Sequence, residues 1–136
     1  MPTNIDDFNR GTALILAQLY RTFPVPCVIK VAELDDHADL VGDDVERRDG
    51  RHAIYAAAID FLAEEGYLRH RARSSGGEVF SRVVLTSKGL AALQRTPEVL
   101  DAPRKTVGDR LLEATRTSAT EAAKEIIRQA LRLVFS

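Results

Sequence analysis

The strongest constraint on the fold comes from residues 61–93, where helical and extended patterns alternate. "FLAEEGYLRHR" has the pattern of a helix end that runs through Glu65-Gly66 into a strand. A glycine commonly closes a helix because it adopts left-handed backbone angles. Two β-forming runs, 67–73 and 78–85, lie on either side of Ser-Ser-Gly-Gly, which is typical of a hairpin. Thr86 is then a good N-cap for a following helix. This stretch therefore predicts a helix, an antiparallel hairpin and another helix in one unit.

The preceding residues predict two helices and a strand, followed by a third helix that is the one reaching Gly66. A first helix is expected up to Pro24, because Thr3 and Asp6 have capping-box spacing and apolar residues recur with a 3.6-residue period. "CVIKV" predicts a short strand, since it is rich in β-branched side chains. A short second helix ended by Gly42 and a third helix over residues 44–65 follow.

The third helix is predicted to have one buried and one open face. The buried stripe is expected to comprise Ile54, Tyr55, Ala58, Phe61 and Leu62. The opposite face is expected to comprise Asp49, Ala53, Ala56, Ala57, Asp60, Ala63 and Glu64. An alanine-rich face of this kind favours close packing against another helix.

The C-terminal part predicts a linker and one long helix. Residues 96–105 contain two prolines, and Thr106 with Asp109 forms a second capping box at the start of a helix over 106–136. Apolar residues recur there every seven positions, which predicts a seam for a second copy or another partner helix. The predicted seam residues are Leu112, Ala119, Ala122, Ala123, Ile126, Ala130 and Leu133. The predicted fold class is mainly α with a small antiparallel β-hairpin (α+β).

Charge is distributed unevenly along the chain. Residues 33–65 carry three basic and eleven acidic side chains, whereas residues 66–95 carry six basic and one acidic. The acidic block is a candidate surface for a protein partner, and the basic block is a candidate surface for a polyanion.

The order of predicted elements resembles the winged helix-turn-helix domain, in particular the small bacterial regulators of the MarR and PadR type. The resemblance is carried by "FLAEEGYLRHR" and "RVVLTSKGLAAL" and covers about residues 5–95. It implies a winged-helix domain over residues 1–95, with the linker 96–105 and the helix 106–136 as a dimerisation element. It also implies a DNA-binding transcriptional regulator that acts as a homodimer.

The resemblance implies two groups of DNA contacts. The start of the third helix would lie at or near the major groove, and the hairpin, or wing, would touch the adjacent minor groove or backbone. The implied contacts are Arg47, Arg48, Arg51 and His52 on the helix, and Arg69, Arg71, Arg73, Ser74 and Ser75 on the wing.

An alternative is a winged-helix protein-interaction or dimerisation module that does not bind DNA. It is favoured because the acidic block includes the helix that should approach DNA, and because the open face of that helix has no good base reader beyond its first turns. Asp43, Asp44 and Glu46 have a simpler explanation, because acidic side chains stabilise the N-terminus of any helix. The wing arginines would then pair with the acidic block of a neighbouring subunit. A regulatory small ligand is neither indicated nor excluded.

Several other classes of function are not expected. The single cysteine, Cys27, excludes an intramolecular disulfide, and a reducing cytoplasm is the expected location. The N-terminus lacks a signal-peptide pattern, and the chain lacks a long apolar run. His37, His52 and His70 are too scattered for a metal site. We expect no catalytic residue, cofactor, metal or membrane partner.

Overall fold

The structure, a computed structural model, describes residues 4–35, 45–96, 105–116 and 120–136. The helices are α1 (Asn4–Thr22), α2 (Val31–Leu34), α3 (Val45–Glu64), α4 (Ser87–Gln94), α5 (Val107–Arg116) and α6 (Glu121–Val134). The strands are β1 (Cys27–Lys30), β2 (Leu68–Arg69), β3 (Ala72–Arg73) and β4 (Val79–Leu85). The predicted class, mainly α with a small antiparallel sheet, is confirmed.

The junctions around the hairpin form as their local chemistry predicts. Gly66 has a φ of +84°, and the amide of Tyr67 donates to the carbonyl of Leu62 at 2.8 Å, which closes α3. At the other end of the hairpin, the Thr86 hydroxyl accepts a hydrogen bond from the Gly89 amide at 3.1 Å and caps α4.

The sheet is organised around β4. This strand pairs antiparallel with β1 on one side and with β2 and β3 on the other. Phe80 of β4 is fully buried and joins the main core. The sheet therefore anchors the hairpin to the helices.

The core is built around α1, which packs against α3, α5 and α6. Apolar residues of all these helices belong to one buried cluster, so the described parts of residues 105–136 share the core of the N-terminal region. The large fully buried side chains include Ile15, Leu16, Leu19, Tyr55, Ile59, Leu62 and Leu111. The C-terminal region is therefore part of the domain and not an appendage.

The prediction of one continuous helix over 106–136 is wrong, because α5 and α6 are separate helices that pack against each other. The capping box at the start of α5 is confirmed, since the Asp109 amide donates to the Thr106 hydroxyl at 3.0 Å. Thr120 caps α6 by accepting from the Ala123 amide at 3.1 Å. Hydroxyl side chains compete with helical hydrogen bonding, and the sequence between the two helices is rich in them.

The predicted seven-residue seam is not a single exposed stripe. Ala123 and Ala130 are buried within this chain, together with Ile127, Leu131 and Val134. Of the other seam residues, Leu112 and Leu133 are half-buried, Ala122 and Ile126 are exposed, and Ala119 lies outside the described residues. The seam was expected to meet a second copy or another partner helix, but α5 and α6 pack against each other and against α1 of the same chain.

Some predictions fall on residues that the structure does not describe. They include the Thr3 cap, most of the predicted second helix, the acids at 43 and 44, and most of the predicted linker. The residues on either side of that linker lie close together, since the Val107 amide at the start of α5 donates to the carbonyl of Arg95 at the end of α4 at 2.8 Å. In the part of the chain that is described, we find no helix that is both long and apolar enough to cross a membrane.

Candidate nucleic-acid interface

The pairing of the hairpin strands places two arginines across from each other along the backbone. Leu68 pairs with Leu85 in β2 and Ala72 pairs with Ser81 in β3, so both short strands keep the same register along β4. This register sets Arg71 opposite Arg82, and the Arg71 amide donates to the Ser81 carbonyl at 3.1 Å. Arg82 was not among the residues expected to contact DNA.

The side chain of Arg82 is directed into solvent by a bulge in β4. Its φ is +54°, in the left-handed region that non-glycine residues seldom occupy. On the other side of β4, the pairing with β1 shifts register between Cys27 and Ile29, as in a β-bulge. Phe80 and Val83 are consequently both buried although they are three residues apart, and Arg82 between them is exposed.

Arg69, Arg71 and Arg82 form what we call the arginine cluster. All three side chains are exposed, and none forms an ion pair with a residue that the structure describes. Like charges at facing positions of a sheet destabilise it. An anion bound between these guanidinium groups would remove that repulsion, and the planar guanidinium suits phosphate.

Arg73, which we expected to contact DNA, is directed towards α3 instead. Its Nη1 atom lies 2.7 Å from Oδ2 of Asp60, and its guanidinium lies 4.9 Å from the centre of the Phe80 ring. Of the three arginines expected on the wing, Arg73 is therefore separated from Arg69 and Arg71. It lies on the side of the hairpin that faces α3.

The hairpin tip is closed by its own hydrogen bonds. The Ser74 hydroxyl accepts from the Val79 amide at 3.1 Å, and the Ser74 amide donates to the Val79 carbonyl at 2.8 Å. Ser74 and Ser75 are both exposed. The Ser74 hydroxyl acts as an acceptor in this turn, and its O–H can still donate to a phosphate.

The prediction that Arg51 and His52 lie at the DNA surface is wrong. Both side chains are buried on Asp35, whose own side chain is only 1% exposed. The Nε and Nη2 atoms of Arg51 donate to the two carboxylate oxygens at 3.1 and 2.7 Å, and Nε2 of His52 lies 2.9 Å from Oδ2. Both residues therefore form a buried contact instead of lying on the surface. This cluster joins α3 to the end of α2.

The two remaining arginines at the start of α3 are more accessible. Arg47 is exposed and Arg48 is half-buried. They lie on the same first turns as the exposed acids Glu46 and Asp49. The charge that this end of α3 presents to solvent is therefore mixed.

The open face of α3 differs in part from the predicted one. Ala56 is buried and Ala63 is half-buried, so only part of the expected alanine face reaches solvent. Ile54 is only half-buried and Phe61 is 39% exposed, which corrects the predicted buried stripe. The exposed residues of α3 beyond its first turn are Asp49, Gly50, Ala53, Ala57, Phe61 and Glu64. None of them is a good hydrogen-bond donor to a base edge.

An aromatic surface lies where α3 ends. The Phe61 ring packs edge-on against Phe8 and Phe135, with ring centres 5.3 and 5.8 Å apart, and Phe135 is 36% exposed. Ile5, one turn before Phe8 on α1, is also exposed. Sequence periodicity did not identify this surface, because it treated Phe61 as core.

The described residues include no group of three His, Cys, Asp or Glu side chains that could hold a metal ion. Comparison with known proteins found no matching family model, curated protein or solved structure.

Proposed function

We propose that this protein is a non-enzymatic winged-helix protein that binds duplex DNA through the phosphate backbone and acts as a transcriptional regulator. The observation that carries the proposal is the arginine cluster, in which Arg71 and Arg82 face each other without an acidic partner among the described residues. Phosphate contacts provide most of the affinity of proteins for DNA, and arginine is well suited to them.

The wing, formed by β2, β3 and β4, is the main contact in this proposal. A bulge that aims a side chain outward is a common feature of functional sites, and here it presents Arg82 next to Arg71. The open face of α3 carries acids and small residues, so insertion of that face into a major groove would bring Asp49 and Glu64 towards phosphates. We therefore expect backbone contacts to dominate, with Arg47 adding to them from the start of α3.

A salt titration tests the proposal. Binding of a fluorescent 20-base-pair duplex would be measured by anisotropy at several salt concentrations, for the native protein and for Arg71→Ala with Arg82→Ala. Loss of two phosphate contacts should reduce the slope of log K against log salt by about 1.8. Arg132→Ala is the matched control, since Arg132 is an exposed arginine on α6 without an ion partner among the described residues. Absence of binding by the native protein at low salt would contradict the proposal.

A second candidate is a winged-helix module that binds another protein or a second copy of itself. The exposed Phe61 and Phe135 rings favour it, as does the close approach that Ala53 and Ala57 would permit. Part of the acidic 33–65 surface that was expected to bind such a partner lies outside the described residues. Light scattering of the native protein and of Phe61→Ser distinguishes self-association from a monomer.

A further inference from the structure

The contact between Arg73 and Asp60 connects the wing to the helix beside it. The ion pair is 2.7 Å long, and the side chains of Arg73 and Asp60 are 41% and 38% exposed. The guanidinium also lies over the Phe80 ring, which restricts its orientation. Arg73 is thus held in a defined position on the wing.

We propose that Asp60 is an internal competitor for phosphate at Arg73, so that it limits the affinity of this wing for DNA. This inference rests on the proposed function. The Asp60 carboxylate already accepts the hydrogen bond that Arg73 could otherwise donate to a phosphate oxygen. DNA must therefore displace the carboxylate to gain this contact. The displaced carboxylate would then remain close to the phosphate backbone and repel it.

The exposure of the pair is what makes displacement feasible. Ion pairs that water reaches are weak because solvent and salt screen them. The contact of Arg51 with Asp35 is different, because it is buried and forms two hydrogen bonds. Among the ion pairs of the described residues, that of Arg73 with Asp60 is both accessible to solvent and placed on the wing, so it can exchange one anion for another.

Competition between Asp60 and phosphate for Arg73 predicts an effect that the loss of a negative charge alone does not. Removal of any acid near DNA increases affinity, but only removal of Asp60 should also release Arg73. The effect of Asp60→Asn should therefore depend on the presence of Arg73. Glu64 provides the matched control, because it is an exposed acid one turn further along α3 with no ion partner among the described residues.

The test is a double-mutant cycle with the fluorescent duplex. Asp60→Asn should tighten binding about two- to five-fold and increase the slope of the salt dependence by about 0.9. Glu64→Gln should change affinity less than about two-fold and leave the slope unchanged. In an Arg73→Ala background, Asp60→Asn should have no more effect than Glu64→Gln. Thermal denaturation checks that each variant is folded, and Asp60→Ser replaces Asp60→Asn if the latter is not.

The possible results separate this inference from the proposed function. If the native protein does not bind the duplex at low salt, both are overturned. If it binds, but Asp60→Asn and Glu64→Gln have equal effects, only the competition is overturned. The same conclusion follows if the gain from Asp60→Asn persists without Arg73.

Discussion

The guanidinium of Arg51 donates two hydrogen bonds, of 3.1 and 2.7 Å, to a carboxylate of Asp35 that is almost completely buried. Removal of one partner of a buried pair leaves the other charged and desolvated. We therefore expect Asp35→Asn to lower the free energy of unfolding by about 3 kcal/mol. Urea denaturation measures the loss. Asp49→Asn replaces an exposed acid on α3, the helix that carries Arg51, and should change stability by less than about 0.5 kcal/mol. Equal losses in both variants would contradict a special role for Asp35.

Gly89 should not tolerate a side chain. A Cβ atom at this position would lie 2.0 Å from the carbonyl oxygen of Tyr67, so the hairpin or α4 would have to move. We expect Gly89→Ala to destabilise the protein by about 1–3 kcal/mol in thermal or chemical denaturation. Gly76→Ala is the control, because no atom lies within 4 Å of its Cβ position. If the two variants are equally stable, α4 packs less closely against Tyr67 than described.

Arg82 should show a conflict between stability and binding. Its left-handed backbone costs about 1 kcal/mol in a residue with a Cβ atom, and glycine removes that cost. Arg82→Gly should therefore be more stable than Arg82→Ala by about 1 kcal/mol, while both variants weaken DNA binding to a similar extent. Denaturation and anisotropy measure the two properties separately. Equal stability of the two variants would show that the bulge does not constrain residue 82.

Two adjacent isoleucines test which face of α6 is buried. Ile127 is 2% exposed and Ile126 is 41% exposed. Ile127→Ala should cost about 2–5 kcal/mol, whereas Ile126→Ala should cost less than about 0.5 kcal/mol. Urea unfolding at two protein concentrations makes the comparison. A large, concentration-dependent loss for Ile126→Ala would indicate that this face is covered by a second copy.

Local sequence chemistry predicted the hairpin and its junctions correctly. Gly66 and Thr86 act through hydrogen bonds to residues close in sequence, so their roles are visible without knowledge of the tertiary structure. The same holds for Thr106 with Asp109 at the start of α5. Periodicity alone was less reliable. Ala123 and Ala130 of the predicted seam are buried, but Ile127 and Val134 are buried in place of Ile126 and Leu133.

The errors at the candidate site have tertiary causes. Arg51 was expected at the DNA surface because the winged-helix resemblance implied it, but its burial depends on Asp35, a partner 16 residues away. Arg73 was expected to face DNA because strand residues alternate, but its direction depends on Asp60 in α3. The importance of Arg82 depends on a backbone angle that residue types do not specify. The connection to an established family remains an expectation from the element order.

The central position of α1 determines the order in which this domain can complete its core. During synthesis, α1 emerges long before α5 and α6, the helices that cover one side of it. Until those helices emerge, the chain can assemble α1 with α3 and the sheet, but the surface that will contact Leu111 and Ile127 stays open. Contacts between residues so distant in sequence slow folding and prolong the exposure of apolar surface. A nascent chain of this protein is therefore exposed to aggregation until α5 and α6 leave the ribosome.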